Sequence, residues 1–378
     1  GGSHGFHAAA IGRRDIVCRP ARLVISSMTF LGTPDFVHGS RPRVGVMLVN
    51  LGTPADPSPR SVRKYLAEFL SDPRVIEAPR LLWWLVLHGV ILRTRPRRSA
   101  HAYQKIWTPE GSPLIVNGLA LRDALRKSLG DDWVVELAMR YGVPAIDAAI
   151  ARLADADVER ITVVPLFPQY ASASTGSALE AVYCAAAERW NVPPLDVLPS
   201  FYAEPGFIAA LAAVARELPE EQLPDHVLIS FHGLPERQIR KSDLSGGHCL
   251  ASESCCDAIG PANRFCYRAH CTATARALAT SLGLGSEHWT LSFQSRLGRI
   301  PWIRPYTDEV LPLLRERGFR RLAVLCPSFV ADCLETIEEI GIRAREQWLA
   351  LGGEELVLVP CVNAHPAWVD ALAGWIRD

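Results

Sequence analysis

Glu159–Pro168 reads ERITVVPLFP and Arg320–Phe329 reads RRLAVLCPSF. In each, a short β-branched apolar run closes on turn residues and feeds a helical pattern, as a strand followed by a crossover helix does. The echo between stretches so far apart points to two similar halves. Working outward, Val44–Leu51, Trp133–Arg140 and Leu195–Phe201 join Arg160–Phe167 as one set of four runs, and Val227–Phe231, Trp289–Phe293 and Leu356–Val359 join Leu322–Cys326 as a second. Strands alternating with helices predict an α/β protein built from two four-stranded parallel sheets flanked by helices. The expected domains cover 43–203 and 204–358, with 1–42 an upstream extension and 359–378 a C-terminal segment packing back on the first domain. One continuous sheet of eight strands is the alternative, and a length of 378 residues favours two domains over it. No repeat of roughly 20 to 50 residues is present, which excludes a solenoid. No strand is followed by GxGxxG or GxxxxGK[ST], so the usual support for a nucleotide cofactor is missing.

At 49% hydrophobic and 21% charged residues, the chain is neither disordered nor fibrous. Forty basic and forty acidic residues cancel, so nothing global draws it to nucleic acid or to an anionic membrane. The longest apolar run, Leu81–Leu92 (LLWWLVLHGVIL), falls short of the roughly 20 residues of a spanning helix and is broken by His88 and Gly89. The opening residues lack the apolar core and cleavage site of a secretory signal, and the expected location is cytoplasmic.

In an open α/β sheet the ligand cleft lies beyond the carboxyl ends of the strands. His232 follows the run Val227–Phe231 directly, where a neutral imidazole serves as a base near pH 7; the alternative is a histidine that only hydrogen-bonds its turn. After Leu322–Cys326 come Asp332 and a helix carrying Glu335, Glu338 and Glu339. Spacing favours Asp332 as an N-cap with Glu335 completing a capping box. The competing reading is a carboxylate pair, Glu335 and Glu339, sharing a helix face in the cleft to relay protons or hold a divalent cation. Three further post-strand segments, VNLGTP (Val49–Pro54), RYGVP (Arg140–Pro144) and PQYASASTGS (Pro168–Ser177), are candidate pocket walls. Arg80–Leu92, followed by Arg93, Arg95, Arg97 and Arg98, is either a core helix or a partly exposed lip that holds a flat apolar ligand or touches a bilayer surface.

Ten cysteines are few for this length, yet Cys249, Cys255, Cys256, Cys266 and Cys271 fall within 23 residues. They lie in the glycine- and serine-rich segment Lys241–Cys271, which has no apolar periodicity and reads as a loop held by something other than a core. In a cytosolic protein, metal ligation is the first explanation for such clustering. The spacing is not that of a zinc ribbon. On chemistry alone a [2Fe–2S] cluster and a zinc ion stand level, ahead of free thiols or disulfides.

Taken together, LVNLGTP (Leu48–Pro54), PQYASASTGS, SFHGLP (Ser230–Pro235), LSFQSRLGRIPWIRPYTDE (Leu291–Glu309) and CPSFVADCLETIEEI (Cys326–Ile340) resemble the ferrochelatases from about Arg43 to the C-terminus. The resemblance implies two Rossmann-like domains around a porphyrin cleft and a lyase that inserts Fe(II) into protoporphyrin IX, releasing two protons. It implies that His232 takes a proton from a pyrrole nitrogen, that Glu335 is the essential carboxylate and that Glu339 is the next acidic position. His232 and Glu335 are the residues it sets against the substrate iron. Arg140 and Tyr141 match an Arg-Tyr pair at the cleft floor, Ser174, Thr175 and Ser177 a hydroxyl loop, and Arg80–Arg98 the lip, with Arg95 a propionate contact. Leu51 stands where many coproporphyrin enzymes carry tyrosine, which favours protoporphyrin over coproporphyrin III. Where eukaryotic members carry a histidine this chain has Cys333, so a metal role for that histidine does not transfer. The cysteine-rich segment resembles the insert of members with a [2Fe–2S] cluster, which places the cluster above zinc, held by four of the five cysteines: Cys249, Cys255 or Cys256, and Cys266, with Cys271, which also appears in members without the insert, as the fourth. The expected state is a monomer with at most weak peripheral contact at the inner face of the cytoplasmic membrane. A protein of another class, a non-catalytic Fe–S sensor or porphyrin binder, would fit the same cleft; loss of His232 or Glu335 would have favoured it, and both are present.

Overall fold

The computed structural model describes residues 43–378 except 297 and 299; the expected upstream extension lies outside the described residues. In the first half, β1 (Arg43–Thr53) leads through α1 (Pro59–Ser71), α2 (Arg80–Val86), α3 (Leu92–Ile106) and α4 (Pro113–Leu129) to β2 (Trp133–Gly142). Then follow α5 (Ile146–Asp155), β3 (Val158–Pro165), α6 (Ser177–Ala187) and β4 (Leu195–Val197). The second half runs α7 (Pro205–Arg216), β5 (His226–His232), α8 (Glu236–Lys241), α9 (Tyr267–Leu282), β6 (Trp289–Gln294), α10 (Thr307–Glu316) and β7 (Arg321–Leu325). It continues with α11 (Leu334–Thr336), a π-helix (Ile337–Ala344), α12 (Arg345–Ala350), β8 (Glu355–Leu358) and α13 (Pro366–Arg377).

The strands form two parallel four-stranded sheets of identical order, β2-β1-β3-β4 and β6-β5-β7-β8. Two separate sheets replace the single-sheet alternative. The echoed stretches Glu159–Pro168 and Arg320–Phe329 supply β3 and β7, equivalent strands of the two sheets. Strands of a parallel sheet are covered on both faces and must be apolar on both. In β1, Val46 and Leu48 enter one core while Met47 and Val49 enter another, all four fully buried, which is the two-residue alternation of a strand. The last run of the first set ends sooner than expected. Leu198 makes a final bond to Val163 O at 3.0 Å, and beyond it Phe201 turns into the core against Phe207, Trp368 and Trp375.

One apolar cluster spans both halves. Val46, Leu48, Leu121 and Leu137 share it with Ile229, Phe231, Leu278, Trp368 and Leu372. The C-terminal α13 packs on α4 and α7, and Arg377 donates to Ser128 O at 2.6 Å. With a common core between them, the carboxyl ends of both sheets are held at fixed separation around the cleft residues.

Candidate active site

β5 delivers His232 to the edge of the core, half-buried after six fully buried residues. Its backbone is clamped on both sides: the N–H donates to Ser328 Oγ at 2.9 Å, and the carbonyl accepts from the Tyr267 hydroxyl at 2.8 Å. Its Nδ1 lies 2.6 Å from Gly233 O. A carbonyl only accepts, so Nδ1 carries the proton and the Nε2 lone pair is left open. Gly233 is required by close approach: a Cβ there would lie 2.8 Å from Gln294 O and 3.3 Å from the Trp302 ring.

Facing this strand end are α11 and the π-helix, a helical form recurrent at functional sites. The expected capping box of Asp332 with Glu335 is not formed. Cys333 is the N-cap and Thr336 its partner, with Cys333 N donating to Thr336 Oγ1 at 3.0 Å. Asp332 is engaged elsewhere, accepting from Asn363 Nδ2 at 2.8 Å, Thr336 Oγ1 at 3.1 Å and the Cys361 N–H at 3.3 Å. The Glu335 carboxyl is therefore free of capping. Its charge is felt by Tyr65, Tyr103 and Cys333, whose protons are held tightly, first by burial and then in part by that charge. Two of the three come from the first half. Glu339 accepts from the Ser295 N–H at 2.8 Å and Ser295 Oγ at 2.5 Å. Burial raises its pKa, while Ser295, Arg343 and His232 each pull it back, so Glu339 lies within electrostatic reach of His232. Glu338 is buried and paired with Arg343 at 2.8 Å and with Lys105 of α3 at 3.6 Å.

At the end of β2 a network appears whose centre the sequence did not reveal. Asp72 accepts from Ser177 Oγ at 2.5 Å, the Arg74 N–H at 2.7 Å, and both Arg140 Nη2 and the Tyr141 hydroxyl at 2.8 Å. Burial alone would raise its pKa, but the bonds from Ser177, Arg74 and Tyr141 and the charge of Arg140 outweigh that and hold it below the usual carboxylate range. Arg140, Tyr141 and Ser177 thus form one unit, and Arg140 Nε adds bonds to Ser177 Oγ and O at 2.7 and 3.0 Å. Ser174 and Thr175 sit in a π turn, Ser172–Gly176; Thr175 is buried and its Oγ1 has no hydrogen-bond partner among the described residues. Leu51, at the end of β1, packs half-buried against the apolar cluster of α1, α3 and the π-helix.

The apolar stretch after Arg80 is not a core helix. No residue of α2 is buried, and Leu81, Leu82, Trp84 and Leu85 are 76, 60, 56 and 54% exposed. Leu87 and Leu92 anchor it to α1 and Tyr103. Arg95, half-buried in α3, carries no hydrogen bond or ion pair among the described residues, and burial and then Arg98 lower its pKa. No helix among the described residues is long and apolar enough to cross a membrane.

The cysteine-rich segment is only partly the expected loop. Its first turn is organised by Asp243, which accepts from the backbone of Ser245, Gly246, His248 and Cys249. Buried Asn263 bonds Cys255 O at 3.0 Å, Ala258 O at 2.9 Å and Gly260 N at 2.7 Å. All five cysteines are buried. Cys255 and Cys256 have Sγ atoms 3.7 Å apart, Cys266 lies against Cys249 and Cys256, and Arg268 Nη1 stands 3.3 Å from Cys256 Sγ. Cys271 departs from the loop reading: it sits within α9 with its thiol against the Tyr267 hydroxyl. Among the described residues no three His, Cys, Asp or Glu side chains converge closely enough to hold a single metal ion.

Strand ends thus bring His232, Glu335, Glu339 and the Arg140–Tyr141–Ser177 unit to the mouths of two adjoining sheets. Three residues that sequence reasoning did not single out join this arrangement: Asp72 just past the end of α1, and Gln294 and Ser295 inside the motif Leu291–Glu309. The ferrochelatase family model matches residues 43–378. A ferrochelatase of Coxiella burnetii is 48% identical over 88% of this chain and 92% of its own length. One of Azotobacter vinelandii is 49% identical over 88 and 98%, and one of Legionella pneumophila 46% identical over 89 and 99%. With a match across nearly the whole described chain and the histidine and carboxylates in place at the strand ends, the chain belongs to the ferrochelatase family.

Proposed function

We propose that this chain inserts Fe(II) into protoporphyrin IX, releasing two protons and giving protohaem in the last step of haem synthesis. The observation that carries the reading is the tautomer of His232. With Nδ1–H committed to Gly233 O at 2.6 Å, Nε2 is open to a pyrrole N–H, and the imidazolium that forms feels the Glu339 carboxyl. Proton abstraction by a positioned base is worth typically about 10²–10⁴-fold. His232 takes the protons, Glu339 stabilises and relays them, and Glu335 meets Fe(II) as substrate from a wall lined by Tyr65 and Tyr103. Imidazole and carboxylate suit iron as a passing ligand set. The porphyrin face rests on Leu51, Ser174 and the unpartnered Thr175 hydroxyl. Arg140, Tyr141 and Ser177 form the floor, and the unpaired Arg95 receives a propionate.

Anaerobic Fe(II) insertion, followed by the porphyrin and haem absorbance bands, tests the reading with protoporphyrin IX and coproporphyrin III in parallel. Rapid protohaem formation lost in His232→Ala is expected. Faster insertion into coproporphyrin III would reassign the substrate, and no insertion into either would remove the enzyme reading.

We also propose that Cys249, Cys255, Cys256 and Cys266 hold a [2Fe–2S] cluster. Buried thiols that adjoin in pairs, with a guanidinium beside them to offset thiolate charge, fit a group taking two thiolates per iron better than a lone zinc ion needing four donors at one point. When bound, such a cluster supplies one-electron redox chemistry and staples a segment that otherwise rests on Asp243 and Asn263. The exposed apolar face of α2 beside the arginines of α3 supports weak peripheral contact at the inner face of the cytoplasmic membrane. The protein acts in the cytoplasm as a monomer.

A further inference from the structure

The motif Leu291–Glu309 gives the site two residues with no role in the reaction as read above, Gln294 and Ser295. Gln294 closes β6 in register with His232 of β5. Its carbonyl accepts from Gly233 N at 2.8 Å, and its Oε1 accepts from Ser230 Oγ at 2.7 Å. That bond fixes the amide so that Nε2 donates to Glu335 O at 2.7 Å. One side chain thus ties the histidine strand to the carboxylate helix. Ser295 follows with φ of 67°, left-handed backbone that a serine rarely adopts and glycine takes without strain. The conformation turns both its N–H and its Oγ–H onto the Glu339 carboxyl, at 2.8 and 2.5 Å. Arg296, paired with Asp308 at 2.6 Å and Glu309 at 3.1 Å and stacked 4.4 Å from the Tyr306 ring, holds the chain in that turn. A non-glycine residue kept in a strained conformation at a site is retained for what its side chain does there.

We infer that Ser295 is a positioning residue for iron insertion, presenting the Glu339 carboxyl to His232 through its paired N–H and O–H donors, with Gln294 setting the distance between the two walls. The inference rests on the reading of Glu339 as catalytic.

Glycine separates a hydrogen-bonding role from a conformational one. Ser295→Gly relieves the backbone and keeps the N–H but loses the hydroxyl; Ser295→Ala loses the hydroxyl and keeps the strain. The holoenzyme is assayed anaerobically for Fe(II) insertion into protoporphyrin IX, with thermal unfolding recorded alongside. The hydroxyl bond to a carboxyl group predicts a fall in kcat of about tenfold or more in both variants, with porphyrin KM within about twofold and Ser295→Gly at least as heat-resistant as the parent. Ser295→Gly with the parent kcat would overturn the inference, since the turn alone would then suffice. So would a loss confined to Ser295→Ala and matched by its loss of stability. Glu339→Gln distinguishes the two levels: a parent-like kcat there removes the reading of Glu339 and this inference with it. An impaired Glu339→Gln beside a fully active Ser295→Gly removes the inference alone.

Discussion

Replacing Asp72 by asparagine removes the charge at the centre of the cleft-floor network while preserving its shape. Oδ1 holds the Arg74 N–H at 2.7 Å, and an asparagine oxygen placed there keeps that bond. The amide nitrogen then faces three former donors on the Oδ2 side, Ser177 Oγ at 2.5 Å, the Tyr141 hydroxyl at 2.8 Å and Arg140 Nη2 at 2.8 Å. The two hydroxyls rotate and accept from the new NH₂, but a guanidinium has no lone pair, so the loss concentrates on Arg140. Breaking one partner of a buried ion pair costs about 3–5 kcal/mol. The Arg140 side chain is 22% exposed, and water restores part of its solvation, which brings the expected cost to about 2–3 kcal/mol. The sign with pH follows from the depressed pKa of Asp72 in the folded chain. Its stabilisation is fully present above the unfolded carboxylate pKa near about 4 and is lost as pH falls through the lower folded value. Urea unfolding of both proteins, followed by tryptophan fluorescence, measures the gap at pH 7 and again in acid. A gap of the stated size at pH 7 that closes towards pH 3 supports the argument. Equal midpoints at pH 7, or a gap that stays constant into acid, would refute it.

Arg95→Ala should raise the KM for protoporphyrin IX about tenfold or more with little change in kcat, and should leave insertion into a porphyrin diester unaffected, because only free propionates form the charge-assisted bond. An equal effect on diester and diacid would place Arg95 elsewhere. Cys256→Ser should abolish the visible absorbance of protein purified anaerobically, whereas Cys271→Ser, whose thiol rests on Tyr267, should retain it; retention in both would argue against the cluster. Trp368→Ala should lower stability by about 3–5 kcal/mol, since its fully buried ring packs on Phe201, Phe207 and Trp375 in the core shared by both halves. A loss under about 1 kcal/mol would mean that α13 does not join the halves.

The strand pattern, the doubled architecture and the position of His232 were all legible along the chain, because each depends on short-range features: β-branched runs, turn residues at their ends and the rule that clefts open beyond strand carboxyl ends. The ends of runs were less so, as in Leu195–Phe201, where β4 stops at Val197 and Phe201 packs on Phe207, Trp368 and Trp375 from other segments instead of extending the strand. Spacing also misassigned the cap of α11. Asp332 has the right chemistry and offset, but Asn363 and Cys361, some thirty residues further on, claim its oxygens and leave the cap to Cys333 and Thr336. Sequence therefore determined which residue types stand at which strand ends. Tertiary structure alone decided their partners: Asp72 under Arg140 and Tyr141, Ser295 on Glu339, and the phenols of the first half around Glu335. A hydrogen bond or desolvated charge depends on atoms within a few ångströms in space, and those atoms come from segments tens to hundreds of residues apart.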